Sequence, residues 1–460
     1  MTKKFFIGFI AFFFLLTVFS ALPQEAAAQS GKAKKLFNEG EKLFNKKSYE
    51  AAINKYAEAL VADSKFPEAH YKKGYAHYSL KQYDQSLEEL NAALAQSYKK
   101  PLEIYHIRWY IHFQKMDYDS ALSDLQEAIK LDPKNADYNL NIGEIYLAKK
   151  QWQDAMNIYK PASLANPNNA DLYYFIARAH SGLGETAEQQ TAVSEALKRG
   201  TRYVGEAYFL LADAFQKSRK FDDAVQNYQK AINAKPDLYE AYVKLSDLYS
   251  SLNQFKNAID TTNKALEVFK DDGNLYVSLS LYFSLADRSQ EAVAAGLKAV
   301  SFVPGNSMAH TNLCRAYNDT KQYQLAIDTC NNALKISPAD GETNFYLGRA
   351  YDFSNKPEIA TKYYDKAVSG LLEFTRNNPD NSDGFYLLGN AYYANRQRGN
   401  AIAAYRKCLM LSPRFSKARY NLGYIYFLEN NLTAAREQYE ELRKIDPPTA
   451  EKLRLAMEKK

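Results

Sequence analysis

The sequence predicts an all-α chain, an α-solenoid of about twelve helical hairpins closed by a C-terminal helix. Three observations carry this. Small residues and alanines return at fixed places about every 34 residues. Tyrosines and phenylalanines stand between them at helical spacing. Proline closes many of the units, at Pro133, Pro167, Pro236, Pro304, Pro338, Pro413 and Pro447.

The first residues differ from all that follow. Lys3 and Lys4 precede a charge-free apolar run from Phe5 to Phe19, which Pro23 breaks before Ala26-Ala27-Ala28. This order of basic start, apolar core and Ala-x-Ala site predicts a signal peptide over 1–28. The competing reading is an uncleaved membrane anchor, for which the run is slightly short. Residues 29–32 then serve as a short linker.

Ala136 to Asn169 shows one unit whole. Ile142, Gly143 and Tyr146 share a helix face, Lys149 to Gln151 make a turn, and Trp152, Ala155, Tyr159 and Ala162 resume the helical period. Asn166-Pro167 ends the second helix, since proline disfavours helical geometry in the residue before it. Units begin near Ala33, Pro67, Leu102, Ala136, Ala170, Gly205, Tyr239, Gly273, Ser307, Gly341, Ser382 and Ser416. At the eighth place of the twelve units only Trp109 is not small. At the twentieth place ten are alanine, with Ser86 and Gln189 the exceptions. Small residues at a helix crossing let two backbones approach, and large rings fill the holes around them.

Repeats one to five occupy 33–203 and repeats six to twelve occupy 205–449. Gly200 and Gly205 flank the exit of the fifth unit, where Thr186, Gln189 and Gln190 replace apolar residues. A hinge near 200–205 is expected there. The tenth unit carries seven extra residues, an insertion within 368–381. Seven residues are nearly two helical turns, so its second helix can lengthen through Leu371, Leu372 and Phe374 without turning its buried face away. Thr449 is expected to cap a last helix over 449–460 that covers the open end.

The 34-residue stride with small, tyrosine, alanine and proline at these offsets resembles the tetratricopeptide repeat, over about residues 33–449. The family's tryptophan near the fourth place is absent, with Tyr105, Tyr173, Tyr208, Tyr242 and Tyr276 among the residues standing there. The resemblance implies a right-handed superhelix whose first helices line a concave groove for extended peptides or helices. Carried over by position, it gives an aromatic zone of Phe37, Phe44, Tyr71, Tyr75, Tyr78, His106, Tyr110 and Phe113. A second zone holds Tyr386, Asn390, Tyr393, Tyr420, Tyr424 and Phe427. Between them Arg178, Arg315 and Arg349, with Asn312 nearby, are placed to clamp carboxylates or carbonyl groups. The bland alternative is that part of each stripe packs on the neighbouring unit. A lysine and asparagine set that some relatives use to grip a terminal carboxylate is not met, because Phe37, Glu41, Lys72 and His106 stand at its places.

The net charge of +6 is small for 460 residues and interleaved in sign, which argues against nucleic acid as a partner. No catalytic, phosphate-loop, calcium-loop or metal motif stands out, so the expectation is a non-enzyme with no cofactor, and membrane contact only through an uncleaved N-terminal segment. Cys314, Cys330 and Cys408 are too few for a disulfide scaffold. Buried thiols are the plain reading, with a Cys314–Cys330 disulfide possible because both fall in one hairpin. The functional expectation is a protein-binding scaffold, periplasmic or secreted. The alternative is a regulatory or substrate-delivery subunit of an envelope enzyme complex.

Overall fold

A computed structural model describes residues 22–135 and 137–458. The expected signal peptide lies outside them, save for the backbone of 22–28, which belongs to a helix Leu22–Asn45. The described residues form 25 α-helices and no strand. None of these helices is long and apolar enough to cross a membrane. The helices fall into two compact units, Met1–Lys220 and Phe221–Lys460.

The turn within each hairpin is built alike. Its fifteenth place is left-handed: Lys47, Lys81, Met116, Lys150, Arg219, Asn253, Asp287, Lys321, Asn355, Arg396 and Asn430 all have φ near +60°, and Gly184 has +77°. The next residue donates back to a carbonyl five residues earlier, as Gln82 does to His77 at 2.9 Å and Gln322 to Tyr317 at 2.8 Å. This pattern satisfies the last carbonyls of the first helix and reverses the chain in three residues. Only the fifth unit meets the demand with glycine, the residue that adopts this conformation without strain.

At Gly40, Gly143, Gly348 and Gly389 the small eighth place faces a tyrosine ring, while at Gly74 it faces Leu90. A Cβ on Gly143 would lie 2.4 Å from Tyr159, one on Gly389 2.5 Å from Tyr405, and one on Gly40 2.6 Å from Tyr56. Those three tyrosines are fully buried. The twentieth place lies beside the same crossing, since the Ser280 hydroxyl donates to the Ala292 carbonyl oxygen at 2.9 Å. Alanine there is fully buried in unit after unit, for example at Ala52, Ala121, Ala326 and Ala401.

At the expected hinge, residues 201–203 make contacts with the fifth unit's first helix. Thr201 donates its hydroxyl to Asp171 at 2.7 Å, and the Arg202 guanidinium pairs with the same carboxylate at 2.9 Å. Tyr203 stacks on Tyr174 with ring centres 4.5 Å apart. Side chains of the unit's own first helix thus supply the anchors that the two glycines lack.

The tenth unit's second helix, Pro357–Asn377, has 21 residues where its counterparts have 13 or 14. Leu371 is buried, whereas Leu372 and Phe374 are 40% and 43% exposed. The added turns therefore carry one buried face and one open face. The last helix is Pro447–Glu458 and begins two residues before Thr449. Asp446, not Thr449, caps it, accepting from the Thr449 amide at 3.2 Å and its hydroxyl at 2.7 Å. Proline fits the first helical positions because it brings no amide hydrogen that needs a partner. Leu453 and Ala450 of this helix are buried.

Candidate partner-binding site

First helices of the Phe221–Lys460 unit enclose a cavity of about 1160 Å³. Its walls come from the helices Tyr239–Ser251, Gly273–Leu285, Ser307–Asp319, Gly341–Phe353 and Ser382–Ala394. Lys417, near the start of Ser416–Leu428, closes one side. The extended helix Pro357–Asn377 adds Glu373, Phe374 and Asn377 to the wall. The seven extra residues thus shape the cavity as well as lengthen a helix. Of the residues expected from sequence, Asn312, Arg315, Arg349, Tyr386 and Asn390 meet here.

The two arginines are not free clamps. Arg315 is only 9% exposed, pairs with Glu342, and lies over the Tyr346 ring at 4.9 Å. Burial alone would lower its basicity, but Tyr346, Glu342 and Asp319 outweigh it and hold the guanidinium charged. Burial raises the Glu342 carboxyl, against the pull of Arg315. Arg349 pairs with Asp319 at 3.0 Å. Each partner sits on the adjacent first helix, so the repeat stride itself sets an acid against each base. Asn312 is also committed, donating to the Val277 carbonyl oxygen at 3.1 Å. Asn390 accepts from the Tyr405 hydroxyl at 2.7 Å and from the Asn421 amide at 2.9 Å.

The second aromatic zone divides. Tyr386 lines the cavity and Tyr393 is 36% exposed. Tyr420 and Tyr424 instead pack on Leu442, Ala450 and Leu453, so the terminal helix uses them as its seat. Phe427 packs on the core around Leu422 and Tyr426. A helix that covers an open solenoid end needs an apolar seat, and these rings supply it.

In the Met1–Lys220 unit the first zone forms a ladder across three hairpins. Phe44 meets Tyr75 at 5.3 Å, Tyr75 meets Tyr78 at 6.1 Å, and Tyr78 meets Tyr110 edge-on at 5.9 Å. Tyr110 is the exposed end of that ladder. Tyr71 is buried and stacks on Tyr98 at 4.7 Å, which makes it a packing residue. Phe37 packs on Phe66, and Phe113 on Tyr118. The exposed His106 sits 2.7 Å from the Tyr138 hydroxyl. Arg178 lies 5.9 Å over Tyr174.

Cys314 and Cys330 are joined by a disulfide, with Cα atoms 5.4 Å apart, directly behind Arg315. Sequence reasoning missed Glu342, Tyr346, Asp383 and Lys417. The first two were legible as the second and sixth places of the unit after Arg315, while nothing local marks Lys417.

Tetratricopeptide-repeat models match residues 40–81, 67–99, 112–179, 205–238, 239–272 and 386–450. A yeast small glutamine-rich tetratricopeptide repeat-containing protein 2 is 35% identical over 74 residues, 16% of this chain and 21% of that protein. Subunit NrfG of the formate-dependent nitrite reductase complex of Escherichia coli O157:H7 is 25% identical over 115 residues, 24% of this chain and 56% of its own length. The curated relatives are thus matched over about a tenth to just over half of their lengths. Among solved structures, yeast Tom70 aligns over 93% of this chain and 94% of its own, at 17% identity and a TM-score of 0.41. The Cut9-Hcn1 complex aligns over 93% and 97%, at 13% identity and a TM-score of 0.43. The repeat matches together reach more than half of the sequence: the chain is a protein-interaction scaffold and belongs to the tetratricopeptide repeat family.

Proposed function

We propose that the chain works outside the reducing cytosol, in the envelope or secreted space, and holds an extended segment of a partner protein in the cavity of its 221–460 unit. The observation that carries the binding half is the cavity itself. Its volume of about 1160 Å³ exceeds the roughly 300–1,000 Å³ of small-molecule pockets. Export draws support from the apolar run of Phe5 to Phe19 and from the Cys314–Cys330 disulfide, because such bonds persist in oxidising compartments.

The test places a photo-cross-linking residue at Asn377 or Ser382 in the cavity wall, and at Glu440 on the last hairpin as a control. A partner adduct from the first two and none from the third is expected. Equal adducts from all three end the groove reading. N-terminal sequencing of the exported chain should start at Gln29, and a start at Met1 in a membrane fraction would favour the anchor. An accessory subunit of an envelope enzyme complex remains the second reading. The similarity to NrfG, itself a complex subunit by name, favours it.

A further inference from the structure

The protein carries a net charge of +6, yet the cavity does not share it. Seven carboxylates and three cations line the wall. Glu342 and Asp319 are taken by Arg315 and Arg349. Asp247 accepts from the Tyr282 hydroxyl at 2.6 Å, Asp340 caps its helix through the Thr343 amide at 2.8 Å, and Asp287 stands 4.0 Å from Lys417. Glu373 and Asp383 make no ion pair, and both are exposed to the cavity. Burial pushes the Asp383 carboxyl up, against the pull of the Arg315 guanidinium, which is itself paired with Glu342. Tyr346, Tyr386, Phe345 and Phe415 line the same space. Carboxylates beside aromatic faces are the surroundings a lysine ammonium or an arginine guanidinium prefers.

Resting on the groove reading above, we infer that the cavity receives a lysine- or arginine-bearing extended segment of a partner protein, with Glu373 and Asp383 answering its charge and the aromatic walls holding its side-chain stems. The charge asymmetry reverses the role expected of this wall from sequence. Its arginines are neutralised from within, and its carboxylates are the groups left to recognise something.

The experiment uses the full mature chain and fluorescein-labelled decapeptides of alternating lysine and serine, glutamate and serine, or glycine and serine, read by fluorescence anisotropy. The basic peptide should bind tightest. The double variant Glu373→Gln, Asp383→Asn should raise its Kd by about tenfold or more, while Asp260→Asn, outside the cavity, should leave it unchanged. Raising salt from about 50 to about 300 mM should weaken the parent more than the double variant. Both substituted residues are exposed, so circular dichroism should show an unchanged fold. A double variant that binds the basic peptide like the parent overturns the inference. So does tighter binding of the neutral or acidic peptide, and if Tyr386→Ala abolishes that binding the groove reading survives alone. Binding by none of the three removes both.

Discussion

The Lys417 ammonium donates to the main-chain oxygen of Leu285 at 3.3 Å, joining residues 132 apart in sequence. It ties the end of one first helix to the start of another four hairpins later, across the side of the cavity. Burial lowers its basicity, and Asp287 at 4.0 Å opposes that shift. The Lys417→Met substitution should cost about 1.5 kcal/mol, the lower end for a hydrogen bond to a charged donor. Amide exchange at residues 284–289 should quicken. Asp287→Asn should do much less, because that pair is wide and its carboxylate is largely exposed. Unchanged exchange in the Lys417 variant would show that the tie holds nothing.

The Gly389 Cα sits against the Tyr405 ring, and a Cβ there would come within 2.5 Å of it. Tyr405 is 1% exposed and cannot swing away. Gly389→Ala should therefore destabilise the 221–460 unit by about 1–3 kcal/mol through overpacking. Gly399 lies in the next helix with nothing within 4 Å of a new Cβ. Gly399→Ala should be neutral or stabilising by up to about 1 kcal/mol. Chemical denaturation should lower the midpoint of the Gly389 variant and not that of the Gly399 variant, and equal midpoints would refute the packing argument.

The contrast between these glycines shows what the sequence made legible. The stride and the need for small residues at the eighth place were readable, because each is a local demand that at least eleven of the twelve units repeat. What faces the small residue was less so. Tyr159 and Tyr405, rather than alanine, fill the space above Gly143 and Gly389. Where Trp109 stands at the eighth place, the facing ring is replaced by Leu125, and bulk is exchanged across the crossing. The left-handed fifteenth place was not legible because, except at Gly184, residues such as lysine, arginine and asparagine fill it rather than glycine. The site was legible in position but not in state. Periodicity puts Arg315 and Arg349 on the inner wall, while their neutralisation by Glu342 and Asp319 depends on which rotamers meet across adjacent helices. The Lys417 tie depends on curvature accumulated over four hairpins, which no local pattern encodes.

The Cys314–Cys330 disulfide spans 16 residues of one hairpin. In the chain-entropy account, a loop of that size is worth about 3 kcal/mol. Reduction should lower the melting temperature of the 221–460 unit and leave the 22–220 unit unmoved. Cys408 is fully buried, and burial pushes its thiol up to about 12. It should stay silent to a thiol reagent in the folded chain. One thiol should react after unfolding alone, and three after unfolding with reductant. Three reactive thiols without reductant would show that the bond is absent.

Asp124 supplies the sharpest pH test. Its carboxylate is buried between the hairpin helices Pro101–Gln114 and Tyr118–Leu131, 3.0 Å from Arg108 and 3.8 Å from His112. Its second oxygen has no hydrogen-bond partner. Burial pushes the carboxyl up to about 6; Arg108 pulls it down, and Asp117 and Glu127 add to the rise. A carboxyl raised above its unfolded value binds its proton more tightly in the folded chain. Its stabilising contribution is therefore complete below pH about 4 and is lost as pH rises through about 6, by up to about 3 kcal/mol. His112 acts on the other side. Burial lowers its basicity, helped by Arg108 and opposed by Asp117, so it costs stability as pH falls below its usual range. Asp124→Asn should remove the first slope and keep the second. Denaturation midpoints taken from pH 4 to pH 8 should then fall with rising pH in the parent more steeply than in the variant. Parallel curves would mean that Asp124 titrates as an ordinary carboxylate and that Arg108 answers it fully.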